Sequence, residues 1–386
     1  MPKKILERLR EAVTLRSDDA AIRIRATYQP QAGPAAKVFP PTYIASGDGS
    51  RYHLEERWGE DGEPVSVVIL DSIQSQANRV EQALRENAAR LGIPQIIMEA
   101  ALADRTVRVS SWEAPHRSRD AYLLDSEIDG KAFDKTPLGE ALTMATLTDA
   151  SALLTYSPQD LIFGVWDSHR GKRISLKVPR SYTSEMIGWS VLRGRKAATK
   201  GDPLNLPGSS KVPLAEWRSE IETNNRSTKD ERLSELGHGM VPVAAEQATG
   251  GVSVKAITRE AALSLTGLAR LSFPAGSGDA TPEARVALAS LALAGDRLAF
   301  GRAGLSLRSG SDLVLASETL QWVGRGNKVE EFELTSDKAL DLLDVAKADM
   351  KKVGIEWNSE PVTVTPSARL LKVIEQTFYV ATLDSE

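Results

Sequence analysis

Residues 197–251 constrain this chain more than any other stretch. Gly201, Pro203, Pro207, Gly208, Pro213, Gly237, Gly239, Pro242, Gly250 and Gly251 interrupt any regular element there. A connection of that length with no periodic pattern of its own is not an ordinary loop of a compact domain. It is expected to be an inserted loop or hairpin carried by a body built from the flanking sequence. A shorter run, 29–63, holds Pro30, Gly33, Pro34, Pro40, Pro41, Gly47 and Gly49. It reads as a second loop-like insertion, with a short hairpin near 43–57.

The flanking sequence alternates elements without strict order. AIRIRATY (21–28) alternates apolar and polar residues and predicts a strand, and PVSVVIL (64–70) predicts a buried one. Asp71-Ser72 can cap a helix over 73–91 with Ile73, Ala77, Val80 and Leu84 on one face. A strand near 105–112, helices at 118–125 and 138–156, and a buried strand at 161–168 follow, with 174–178 as its hairpin partner. Beyond the insertion we expect a strand at 251–257, helices at 258–272 and 282–295, strands at 304–308, 312–316 and 319–323, a helix at 336–353 and a strand at 361–365. MPKKILERLREAV has no apolar signal-peptide core and reads as an amphipathic helix with Ile5, Leu6 and Leu9 on one face. Strands mixed with helices in this way predict an α+β fold with insertions. A split βαβ, ferredoxin-like sheet is compatible with the order.

Several function classes are excluded or disfavoured. The 386 residues are 41% hydrophobic and 26% charged, as in ordinary soluble proteins. No apolar run approaches the ~18 residues of a membrane span. The absence of cysteine removes disulfides, thiolate metal sites and a cysteine nucleophile, and fits a cytoplasmic location. There is no phosphate-loop motif, no H-E-x-x-H and no G-x-S-x-G. The four histidines, His53, His116, His169 and His238, show no ligand spacing. The formal net charge of −4 argues against a nucleic-acid binder. Its distribution argues the other way. From His169 to Lys200 nine Lys and Arg face Glu185 alone, whereas twelve acids face six bases from Glu330 onward. Such a chain can hold an anion on one face and remain acidic overall.

Four segments carry candidate binding residues. Gln74, Gln76, Asn78 and Arg79 supply donors in the first turns of a helix, suited to phosphate; an ordinary capped helix explains them equally well. His116, Arg117 and Arg119 follow Pro115 at a helix start, where a solvated cap is the plainer reading. His169, Arg170, Lys172, Arg173, Lys177 and Arg180 form the densest basic run, suited to a sugar-phosphate backbone. Met240, at the tip of GHGMVP, is suited either to wedging between bases or to packing on the body.

Eight segments occur in order: KVFPPTY (37–43), LDSIQSQANR (70–79), EAPHR (113–117), LIFGVWDS (161–168), DPL (202–204), GHGMVP (237–242), GGVS (250–253) and LRSGSDLV (307–314). Together, over about residues 20–325, they resemble CRISPR-associated protein 7 of type I-G (formerly I-U) systems, a family of the RAMP superfamily. The resemblance implies a modified RRM-like (ferredoxin-like) palm with inserted finger and thumb elements. The palm would comprise 1–196 and 252–386, with 29–63 finger-like and 197–251 the candidate thumb. It implies a backbone subunit of the Cascade surveillance complex, repeating as a helical filament along the CRISPR RNA and exposing kinked bases to target DNA in antiviral defence. The partners implied are CRISPR RNA, target DNA through the guide, further copies of the chain, the large subunit and the guide-processing or capping subunit. It implies no catalysis, cofactor or metal. On this reading Gln74, Asn78, Arg79, His116, Arg117, His169, Arg170, Lys172, Arg173, Lys177, Arg180 and Met240 contact RNA. The alternative is a RAMP-type endoribonuclease cutting target RNA with a loop aspartate, Asp71 or Asp167.

Overall fold

The longest alternating segment organises the molecule. In strand β1 (Asp19–Pro30), Ile22, Ile24, Ala26 and Tyr28 are buried while Arg23, Arg25, Thr27 and Gln29 point to the other face. That period of two places β1 in a sheet with one covered side. The computed structural model describes residues 2–43, 51–166, 176–195, 201–212, 231–234, 237–239, 249–275 and 278–383. Around β1 run β2 (Leu54–Trp58), β3 (Pro64–Asp71), β4 (Tyr182–Trp189), β5 (Ala256–Ser264), β6 (Gly304–Ser306) and β7 (Asp312–Gly324) in the order β6-β7-β1-β5-β4-β3-β2, with β8 (Lys328–Phe332) on β7. Every pairing is antiparallel.

Helices α1 (Pro2–Ala12), α2 (Ile73–Glu86), α3 (Thr281–Phe300) and α4 (Ser336–Lys352) accompany this sheet. The sequence β1-α2-β4-β5-α3-β7 with spatial order β7-β1-β5-β4 is the split βαβ arrangement of a ferredoxin-like palm. The fold is therefore α+β with inserted elements. The hairpin β2–β3 extends the sheet beyond β4, and residues 190–255, which contain the Gly/Pro-rich stretch, join the central strands β4 and β5. Residues 96–101, 106–110, 126–128 and 131–132 build a second sheet, into which 362–366 inserts parallel to 96–101.

Helix α3 is buried on nearly every side, as its run of Ala and Leu requires. A Cβ at Gly295 would lie 2.7 Å from Val80 Cγ1 and 2.8 Å from Leu84 Cδ1, so α2 approaches α3 over a bare backbone. Gly295→Val is expected to cost roughly 1–3 kcal/mol by overpacking, read as a lowered Tm.

Several sequence expectations need correction. The described part of the apolar run 161–168 is not one strand: Gln159–Phe163 is helical and Val165–Trp166 is extended, paired with Lys177–Val178. A short continuous apolar run does not distinguish the two by period. The helix expected at 258–272 is largely strand β5, followed by a four-residue helix at Leu265–Leu268. The expected helix 138–156 is two helices, Pro137–Met144 and Ser151–Tyr156. The strands expected at 312–316 and 319–323 are one, β7. Strand β4 and the terminal helix Ala368–Leu383 were not expected. The amphipathic N-terminal helix is present as α1, with Ile5, Leu6 and Leu9 buried.

Candidate nucleic-acid interface

The segments that resembled one another's company in sequence meet in space, in three groups. The first joins 37–43, 70–79, 250–253 and 307–314. Val38 and Val252 exchange backbone hydrogen bonds of 2.9 and 2.8 Å. The Phe39 N–H donates to Ser311 Oγ, which donates to Phe39 O, both at 2.8 Å. Arg79 donates to the carbonyls of Ser306 and Leu307 at 3.4 and 3.2 Å. The second joins 113–117 to 161–166, through Arg117 on Gly164 O at 3.0 Å. The third joins 202–204 to 237–239, where the Gly239 backbone and Leu206 N–H bond Asp202; the Leu206 bond leads in holding its carboxyl below the usual range.

The first group has the chemistry of an anion cradle. The Phe39 ring lies across two glycines at positive φ, Gly251 (+75°) and Gly310 (+76°). A Cβ would meet Phe39 Cδ2 at 2.5 Å from Gly310, and Val38 O at 3.0 Å from Gly251, so both positions require glycine. Lys37, Phe39 and Arg308 are exposed around this contact. Among the described residues neither Lys37 nor Arg308 is paired with a carboxylate. Sequence reasoning named none of these three as binding residues. KVFPP and LRSGSD were visible as motifs, but their approach depends on β1 and β7 being neighbours.

The predicted residues fall out differently. Gln74 and Asn78 are exposed on one face of α2, and Ser72 caps that helix by accepting from Ser75 N–H at 3.3 Å. Asn78 lines a groove with Gln82, Arg85, Trp112, Pro115 and Arg117. Both arginines of that groove are already paired, Arg85 with Glu113 and Arg117 with Glu81. Arg117 donates to Glu81 at 2.6 and 2.8 Å, stacks 5.6 Å over Phe163 and is largely buried. Burial opposes its charge, but Glu81 outweighs burial and raises its pKa. Arg79 is likewise engaged, donating to Asp71 at 2.8 Å. His116 is exposed. Lys177 and Arg180 are exposed beside Trp166 and Phe163. His169, Arg170, Lys172, Arg173 and Met240, and the candidate loop aspartate Asp167, lie outside the described residues.

Asp71 is not the free loop carboxylate that an RNase would use. It is about 1% exposed and accepts from both Arg79 and Gln76. It opens a polar chain through the core of the palm. Gln76 Oε1 accepts from Ser184 Oγ at 2.8 Å and Arg259 Nε at 3.1 Å. Arg259, wholly buried over Phe300 at 3.7 Å, pairs with Asp296, to which Tyr182 donates at 2.6 Å. Arg297 donates to Asp296 at 3.0 Å and to Glu318 at 2.5 and 2.8 Å. Burial alone would raise the Asp296 carboxyl, yet Arg259 and Arg297 bring it down to about 2. On the opposite, solvent-facing side of the sheet, Arg25–Glu260 and Arg57–Glu185 neutralise one another. Among the described residues no group of three metal-ligating side chains occurs, and no helix is long and apolar enough to cross a membrane.

A ferredoxin-like palm with a long connection between its two central strands, and a glycine-lined basic cluster at the root of that connection, defines the class. Residues 22–193, a little under half the chain, match the family model of CRISPR-associated protein GSU0053. The match runs from β1 past β4 and supports a CRISPR-associated identity and a role in CRISPR defence. No curated protein matches the chain.

Proposed function

We propose that this chain is a CRISPR-associated protein 7 of the type I-G kind: a non-catalytic, RNA-binding backbone subunit of a Cascade complex. Copies would repeat along the CRISPR RNA, with 197–251 as the thumb and 29–63 as a finger. The observation that carries the reading is the meeting of 37–43, 250–253 and 307–311 around Phe39, with Lys37 and Arg308 exposed nearby and without carboxylate partners among the described residues. A subunit that serves every guide must hold phosphate and sugar, not base edges, and this cluster offers positive charge. The sequestered Asp71 speaks against the endoribonuclease. Cytoplasmic location, the large subunit and the guide-processing subunit belong to the same proposal.

The test is copurification. Expressed with a CRISPR array and its partner proteins, the chain is expected to elute as a large oligomer carrying RNA of defined length, because head-to-tail copies share one guide. An RNA-free monomer under those conditions defeats the reading. Target RNA cut at regular intervals by the purified complex would restore the endoribonuclease.

A further inference from the structure

Trp166 is 61% exposed, in a two-residue strand whose neighbour Val165 is buried. The short ribbon Val165–Trp166/Lys177–Val178 turns Val165 and Val178 into the core and places Trp166 directly across from Lys177 on the outer side. The Lys177 ammonium stands 5.7 Å from the indole centroid. An outward position on a two-stranded ribbon needs no large aromatic ring for folding, and a solvated indole forgoes the gain that burying it would bring.

The platform is held rigidly. Arg117 binds Gly164 O at 3.0 Å, Arg180 Nε binds Phe163 O at 3.2 Å, and Ser181 N–H binds Ile162 O at 2.9 Å. A Cβ at Gly164, which sits at φ +85°, would lie 3.0 Å from Val178 O, so the turn into the ribbon requires glycine. The charge beside the ring is unsatisfied. Lys177, across from Trp166, has no carboxylate partner among the described residues, while Arg180 lies opposite Phe163 and spends a single N–H on Phe163 O. An exposed indole beside a lysine that lacks a carboxylate partner among the described residues matches the needs of one nucleotide: a π-face for the base and a cation for its phosphate.

We propose that Trp166 is a base-stacking platform for an unpaired nucleotide of single-stranded RNA, with Lys177 on an adjoining phosphate. The proposal rests on the RNA-binding reading above and adds to it a contact to a base, independent of base identity because every base presents a π-face.

The experiment measures affinity of the full-length chain for a labelled single-stranded RNA and for the same strand with its bases removed (an abasic strand). Trp166→Ala is expected to weaken binding of the normal strand roughly 5- to 150-fold, as loss of one stacked base does, and Trp166→Phe to retain most of it. On the abasic strand, wild type and Trp166→Ala should bind alike. Equal losses on both strands, or no loss on the normal strand, overturn the stacking role. Unchanged RNA affinity with lost self-association assigns Trp166 to a protein contact and overturns it too. Should the alanine variant not fold, wild type must itself bind the abasic strand at least 5-fold more weakly, or the proposal fails. If wild type binds neither strand, the RNA-binding function has failed, which is a different result from a binding wild type with an indifferent Trp166.

Discussion

Asp296→Ala is expected to destabilise the protein by about 3–5 kcal/mol, the usual cost of removing one member of a buried ion pair. Asp296 is 0% exposed and receives Arg259, Arg297 and the Tyr182 hydroxyl. Its loss strands the Arg259 guanidinium, also 0% exposed, with hydrogen bonds to Gln76, Ser184 and Tyr182 but no charge to balance it. Replacing both partners by apolar groups, Arg259→Met with Asp296→Leu, removes the stranded charge and should recover much of the loss. Urea unfolding of the two variants checks this, and a single-mutant cost below about 1 kcal/mol would show that water reaches the site. The pH dependence has a definite sign. The folded carboxyl titrates near 2 against an ordinary 3.8, so its contribution is complete above about pH 4 and fades as pH falls towards 2. Wild type should lose stability across that window, and the double variant should lose less.

The same buried chain explains which parts of the fold were legible in the sequence. β1 was readable because its inward positions are apolar throughout, and β3 because the buried run Val67–Leu70 precedes Asp71. β4 and β5 were not, although they occupy the middle of the palm. In β5 the inward residues are Ile257, Arg259, Ala261 and Leu263. An arginine in that series breaks the apolar alternation, and the Ala, Glu and Leu around it favour a helix by propensity alone. In β4, Ser184 sits between Tyr182 and Met186 for the same reason: it bonds Gln76 and Arg259. A pattern reader sees the polar residue and not the partner that satisfies it, because that partner lies on another element. The site was obscured likewise. Arg117 and Arg79 look like free cations in sequence, yet Glu81 and Asp71 take them up across separations that no local pattern reveals. Lys37 and Arg308 attracted no notice because each stands alone in sequence. Only the pairing of β1 with β7 places their loops together.

Reversing charge at that cluster, Lys37→Glu with Arg308→Glu, is expected to abolish retention of guide RNA in the assembled complex while leaving the free chain folded. Both side chains are exposed, and among the described residues neither holds a carboxylate, so their loss removes no internal ion pair. Surface substitutions of that kind stay within about ±0.5 kcal/mol, and the Tm should hardly move. Binding is another matter, because each copy along the guide carries the same two changes. Neutralising the pair with Ala should lower the slope of log K against log salt by about 2 for each copy, one for each phosphate contact given up. Glutamate adds repulsion to that loss, and the repulsion is strongest at low salt, where phosphate contacts ordinarily bind most tightly. The effect should be the same for guides of unrelated sequence, since contacts to phosphate position the strand without reading it. Trp166→Ala offers the contrast: its loss should depend on the presence of bases and little on salt. A Lys37/Arg308 variant that keeps its full salt slope would move the phosphate path away from the Phe39 cluster and towards the basic residues between Trp166 and Leu176.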